Sequence, residues 1–111
     1  MDLQNQIEYK SKLLYASVEQ LKNTGKEYAK AYTDYRVALA KELLVLKDEG
    51  YAITLAGDIA RGKPEIARLK FEEISKEAVY KANLESINVL KLQLKILENQ
   101  LGREWSVNEE Q

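Results

Sequence analysis

The stretch LKNTGKEYAKAYTDYRVALAKELLVL, residues 21–46, decides the fold of this 111-residue chain. Its apolar and aromatic side chains recur at steps of three and four residues, with a one-residue slip at Leu43. The pattern extends back to the N-terminal end, where Ser11 is the single polar gap. This spacing is typical of an amphipathic helix with a near-heptad repeat. The repeating positions are Leu3, Ile7, Leu14, Val18, Leu21, Gly25, Tyr28, Tyr32, Tyr35, Leu39, Leu43 and Leu46.

The segment Asn23-Thr24-Gly25 resembles a helix break, because glycine inside a helix costs about 1 kcal/mol relative to alanine. The repeat nevertheless keeps its phase across this segment, which a loop of arbitrary length would destroy. We therefore predict one helix over about residues 3–48, with Gly25 marking a close approach between helices. Two helices separated at Thr24-Gly25 are the alternative.

A short helix is predicted at the turn. Gly50 is suited to the left-handed position that follows a helix, so it should end the first helix. Thr54 is expected to cap a brief helix over about residues 54–61, and Gly62 should end it.

The last helix is predicted from Pro64 to about residue 101, since proline is favoured in the first turn of a helix. Its early apolar positions are Ala67, Phe71, Ile74, Ala78 and Ala82, and its later ones are Ile87, Leu90, Leu94, Leu97 and Leu101, widened by Val89, Leu92 and Ile96. The apolar stripe is thus expected to rotate between the two halves of the helix, and it is wider than one partner helix can cover. Residues 106–111 are expected to form a flexible tail after Trp105.

The predicted fold class is therefore all-α. Two helices of ~70 and ~57 Å, at 1.5 Å per residue, would fold back into a long antiparallel, coiled-coil-like hairpin, a single domain over residues 1–105. Such a hairpin buries little on its own, and bundles need three or four helices around a core. We therefore expect a homo-oligomeric helical bundle, most simply a dimer.

Composition excludes several classes of function. The chain is 45% hydrophobic and 32% charged, with 17 basic and 18 acidic residues, and it has no cysteine and no histidine. Thiol nucleophiles, Ser-His-Asp triads and nearly all zinc and haem sites are thereby excluded. Glu72, Glu73 and Glu77 are expected to be surface charges. We predict no enzyme, no metal and no cofactor.

A cytoplasmic location is also expected. The N-terminal residues do not form a secretory signal, and apolar runs such as residues 43–46 are far shorter than the ~20 residues that span a membrane. No membrane partner is therefore predicted.

The turn before the last helix is a candidate anion site. Arg61, Gly62 and Lys63 stand where unpaired backbone N–H groups open a helix, and such helix ends bind phosphates and carboxylates. Tyr51 is a candidate to join them. In the alternative, Arg61 pairs with Asp58 or Glu65 and only caps the corner.

This turn is not a nucleotidase motif. Residues 57–63 mimic the glycine and lysine spacing of a phosphate-binding loop, but Pro64 replaces the required serine or threonine and no strand precedes the segment.

A second candidate is a nucleic-acid face on the first helix. Residues 22–47 hold six basic and three acidic residues, and a basic row can follow a phosphate backbone. Its members are Lys22, Lys26, Lys30, Arg36 and Lys41. Tyr28, Tyr32 and Tyr35 could stack on bases, or form a core layer between helices. The alternative for the basic row is a solvated helix face.

Three segments carry a resemblance: YRVALAKELL at 35–44, DIARG at 58–62 and KLQLKILENQ at 91–100. The chain resembles small all-helical proteins encoded in the early regions of phages and prophages of Gram-positive bacteria, over roughly residues 20–105. The resemblance implies a viral accessory protein acting in a bacterial host cell, and it assigns no functional residues.

Three functions remain open. The first is a non-enzymatic counter-defence protein that sequesters a phosphorylated nucleotide at oligomer interfaces, using the Arg61 corner. The second is a single-stranded DNA or recombination accessory protein, which the near-neutral charge disfavours. The third is an inhibitor or adaptor that docks on a host enzyme.

Overall fold

The computed structural model describes residues 2–110, and this part of the chain is helical with no strand. It contains α1 (Leu3–Asp48), α2 (Ile53–Gly62) and α3 (Pro64–Glu110). The all-α prediction is confirmed, and α1 has the predicted bounds. Within the described residues, none of the helices has an apolar run that could cross a membrane.

Helix α1 continues through Gly25, so the alternative of two helices is wrong. Gly25 lies against Tyr80 of α3. A Cβ atom placed on Gly25 would lie 3.4 Å from Cε2 of Tyr80. A side chain at position 25 would thus touch the tyrosine ring, so Gly25 marks a close approach between α1 and α3, as predicted from the sequence.

We expect Gly25→Ala to stabilise the protein by about 1 kcal/mol, because alanine is the better helix former. The added methyl group would make ordinary van der Waals contact with Tyr80 and displace nothing. In urea denaturation the midpoint should rise, whereas Gly25→Leu should lower it by forcing Tyr80 away. Equal loss of stability in both variants would contradict the packing described.

Glycine also ends α1. Gly50 has a φ of 95°, and its N–H donates to the carbonyl of Lys47 at 3.0 Å. The N–H of Tyr51 donates to the carbonyl of Leu46 at 3.2 Å. This pair of bonds is a Schellman motif, which satisfies carbonyls that a helix end leaves open. The predicted left-handed role of Gly50 is confirmed.

Two predicted boundaries need correction. Helix α2 begins at Ile53 rather than Thr54, and its cap is Ala52, in an extended conformation and without a side-chain hydrogen bond. Helix α3 continues to Glu110 instead of ending near residue 101. Gly102 does not take a positive φ and no proline follows it, so nothing stops the helix where the polar tail was predicted.

The described chain forms two compact units. Unit 1 comprises residues 2–23 of the α1 end and 81–110 of α3, and unit 2 comprises residues 24–80. Within each unit α1 and α3 run antiparallel. In unit 1 Asn83 contacts Ser17, while in unit 2 Lys76 contacts Glu27. The prediction of a single domain stays a prediction.

Each unit has its own buried residues. The buried cluster of unit 2 consists of Tyr35, Leu39, Leu46, Ala56, Ala60 and Ile66. The buried residues of unit 1 are Asn83, Ile87, Leu90 and Leu94. The later apolar positions predicted for α3 thus lie at the α1-facing side of unit 1, as expected.

The early apolar positions of α3 were predicted wrongly. Phe71 is 68% exposed and Ile74 is 56% exposed, and the three alanines of that set are exposed too. The inward positions of unit 2 are buried or half-buried and follow heptad spacing: Ile66, Leu69, Glu73, Lys76 and Tyr80. From Tyr80 the same spacing leads to Asn83 and Ile87, so the repeat does not rotate. Several inward positions are polar.

Candidate interaction surfaces

Lys63 lies at the corner between α2 and α3. Its N–H donates to the carbonyl of Ala60 at 3.1 Å, and its own carbonyl accepts the N–H of Ala67 at 2.9 Å. The ammonium group of Lys63 donates a hydrogen bond to the carboxylate of Glu42 on α1. This hydrogen bond raises the pKa of Lys63 above its usual value. Lys63 therefore fastens the corner to α1.

Arg61 takes a different position. Its guanidinium group folds back over Gly57, where a Cβ atom would meet Nη1 at 2.8 Å. In residues 2–110 no ion pair joins Arg61 to Asp58 or Glu65. The capping pair that we considered for Arg61 is therefore not formed in the described part of the chain.

The residues of the predicted anion site consequently have different neighbours. Lys63 is engaged by Glu42, and Tyr51 is 42% exposed. Gly62 has open space where a side chain would be. Only Arg61 remains as a cation without an ion pair at this corner, within the residues described.

Arg61 lines a groove of about 430 Å³ in unit 2. The groove is formed by Tyr35, Arg61, Ala67, Lys70, Phe71 and Ile74. It therefore combines two cations with aromatic and aliphatic side chains. We name it the Arg61 groove.

Glu73 is buried beside this groove, so its prediction as a surface charge is wrong. Its side chain is bonded by the ammonium group of Lys70, with 3.0 Å between Nζ and Oε2. Glu73 raises the pKa of Lys70 through this hydrogen bond. The same ammonium lies 4.8 Å from the ring centroid of Tyr35, within cation–π range. Lys70 thus compensates the burial of the carboxylate.

The predicted nucleic-acid residues are partly neutralised. In unit 1 Lys22 lies 3.8 Å from Glu19, and in unit 2 Lys30 lies 2.7 Å from Asp34, whose hydrogen bond raises the pKa of Lys30. The remaining members are exposed: Lys26, Arg36 and Lys41. A groove of about 320 Å³ beside Lys30 mixes both signs of charge, being lined by Glu27, Lys30, Ala31, Asp34, Arg68, Leu69, Glu72 and Lys76. A groove lined by both acidic and basic side chains is expected to bind a phosphate backbone weakly.

The tyrosines of the repeat divide between core and surface. Tyr35 is buried, and Tyr28 packs against Tyr80 with 5.8 Å between ring centroids and 34° between planes. Tyr32 is 46% exposed. The interpretation as a core layer thus suits Tyr28 and Tyr35, whereas Tyr32 faces solvent.

Unit 2 exposes two apolar surfaces. The first, which we call the α3 stripe, consists of Ala67, Phe71, Ile74 and Ala78. The second, the α1–α2 groove, has about 350 Å³ and is lined by Ala40, Leu43, Leu44, Lys47, Ile53 and Ala56. Leu44 is 64% exposed and Ile53 is 77% exposed. Grouped apolar side chains on a surface commonly mark binding sites.

Comparison with known proteins yields no relative. No protein-family model, no curated protein and no solved structure matches this chain. Its function is therefore inferred from its own surfaces. The resemblance to phage early-region proteins stays a prediction.

Proposed function

We propose that this chain is a non-catalytic helical binding protein that associates with copies of itself through unit 2. The observation that carries the proposal is the exposure of Phe71 and Ile74, 68% and 56%, on a helix whose inward positions include Glu73 and Lys76. Burying one large apolar side chain contributes about 1.5–3 kcal/mol. Covering the α3 stripe would therefore favour association.

The α1–α2 groove supports the same proposal. It is a concave apolar surface of the same unit, with Leu44 and Ile53 exposed at its edge. Helical bundles bury such surfaces against further helices, and additional copies of the chain would supply them. A homo-oligomeric bundle, most simply a dimer, satisfies this requirement.

The melting temperature should depend on protein concentration if association is coupled to folding. A hundredfold rise in concentration stabilises a folded dimer by about 2.7 kcal/mol, so circular dichroism should show a higher melting temperature in the concentrated sample. A melting temperature unchanged over that range would count against self-association.

A second candidate function is the sequestration of a phosphorylated nucleotide in the Arg61 groove. It is supported by the guanidinium group of Arg61, which has no ion pair in the described chain, and by the exposed ring of Phe71. Arginine binds phosphate oxygens in a bidentate manner, and an aromatic face can stack on a base. Because Phe71 also belongs to the α3 stripe, a base stacked on its ring would compete with self-association through that stripe.

Replacement of Arg61 tests this second function. Calorimetry with cyclic dinucleotides should show binding to the wild type and at least a tenfold loss of affinity in Arg61→Gln, since the phosphate contact is removed. Lys63→Gln is the matched control and should retain affinity, because Lys63 is already engaged by Glu42. No heat with the wild type, or equal losses in both variants, would remove the proposal.

The biological setting is proposed from the resemblance alone. Residues 35–44, 58–62 and 91–100 suggest a phage accessory protein with a counter-defence role in the cytoplasm of a bacterial host. A protein–protein role on a host enzyme would use the same apolar surfaces as self-association. Because two of the five residues in the basic row, Lys22 and Lys30, are paired with carboxylates, single-stranded DNA binding has less support.

A further inference from the structure

We infer that the α3 stripe is self-complementary and pairs antiparallel with the α3 stripe of a second copy, across a two-fold axis near residues 72 and 73. This inference rests on the proposed self-association and specifies its geometry. The stripe members are spaced by four, three and four residues, which is the spacing of a coiled-coil seam and reads the same in both directions.

The sizes of the side chains are symmetric as well. From Ala67 to Ala78 the order is small, large, large, small. In an antiparallel pair Phe71 of one copy faces Ile74 of the other, and Ala67 faces Ala78. The two large layers then lie at the centre, and the alanines let the helix axes converge at both ends. Parallel pairing would instead place Phe71 against Phe71, without the matched layers.

The charges beside the stripe also favour the antiparallel arrangement. Lys70 and Glu77 are seven residues apart, so they flank the stripe on the same side of α3. Antiparallel pairing brings Lys70 of each copy opposite Glu77 of the other, whereas parallel pairing brings Lys70 opposite Ser75. The side chain of Lys70 is 47% exposed and can therefore serve both Glu73 and a second carboxylate. Opposed helix dipoles add to the preference.

A two-fold axis makes the contact isologous, and it closes at two copies. The contact is short, since the eleven-residue advance from Ala67 to Ala78 corresponds to about 17 Å of helix. We therefore expect a dissociation constant in the micromolar range rather than a permanent dimer.

Disulfide trapping tests the arrangement, because the chain contains no cysteine. A disulfide needs Cα atoms within about 7 Å. We expect Phe71→Cys and Ile74→Cys to form few cross-links as separate samples and to form a covalent dimer when mixed and oxidised. Circular dichroism of each variant checks that it is folded, as the exposure of both positions predicts.

Three results would overturn the inference. Strong cross-linking of each variant with itself would indicate parallel pairing. Equal cross-linking of Ala29→Cys, at an exposed position of α1 in the same unit, would indicate random collision. No cross-link in any sample, while the melting temperature still rises with concentration, would place the interface elsewhere and leave the proposed self-association standing.

Discussion

Replacing Leu46 by alanine should lower the free energy of unfolding by about 3 kcal/mol. Leu46 is only 3% exposed and belongs to the buried cluster of unit 2. Truncating a buried leucine removes apolar burial and leaves a cavity, which together cost about 2–5 kcal/mol. Urea denaturation followed by circular dichroism would measure the change as a lower midpoint.

Val37→Ala is the matched control on the same helix. Val37 is 48% exposed and lies outside the buried cluster, so its replacement should change stability by less than about 0.5 kcal/mol. If Leu46→Ala lowered the free energy of unfolding no more than Val37→Ala does, Leu46 would not belong to the buried core of unit 2.

Replacing Phe71 by glutamate should abolish self-association while the monomer stays folded. The side chain is 68% exposed in the single chain, so a charge there remains hydrated and the helix content should not change. In the proposed dimer the same carboxylate would be buried at the centre of an apolar contact, without a partner. We expect at least a hundredfold weaker association, measured by sedimentation velocity.

Leu92→Glu is the control for this variant. Leu92 is a 59% exposed apolar residue of α3 that belongs to unit 1. The Leu92→Glu variant should have the same sedimentation coefficient as the wild type. Dissociation by both substitutions to the same extent would show that a general loss of exposed apolar surface, and not the α3 stripe, is responsible. Persistence of the oligomer in Phe71→Glu would exclude the stripe.

The first helix could be predicted from sequence because its evidence is local. The apolar repeat keeps its phase across Gly25 and slips by only one residue, at Leu43, and Gly50 supplies the conformation that ends a helix. Both signals depend only on neighbours along the chain. They gave the bounds of α1 and the close approach at Gly25.

The first part of α3 could not be predicted in the same way. Apolar spacing selected Phe71 and Ile74 as inward residues, but Glu73 is the residue that is buried. That burial is possible only because Lys70 bonds its carboxylate, while the half-buried Lys76 reaches Glu27 at 3.4 Å. The heptad spacing from Ile66 was a signal that could have identified these positions.

The partners of the residues in the candidate anion site could not be predicted from the sequence either. The sequence places Arg61 and Lys63 next to the start of α3, but it does not show that Lys63 is engaged by Glu42, 21 residues earlier in the chain. The exposure of Arg61 and its position over Gly57 depend equally on the folded backbone. The sequence thus predicted that basic residues lie at this corner, but it did not predict which side chains they contact.

Sedimentation equilibrium of the wild-type protein tests self-association most directly. The chain has a mass of 12.7 kDa. We expect an average mass that rises with concentration through the micromolar range towards about 25 kDa, or a higher multiple if the α1–α2 groove also pairs. A constant mass of 12.7 kDa up to roughly millimolar concentration would contradict self-association.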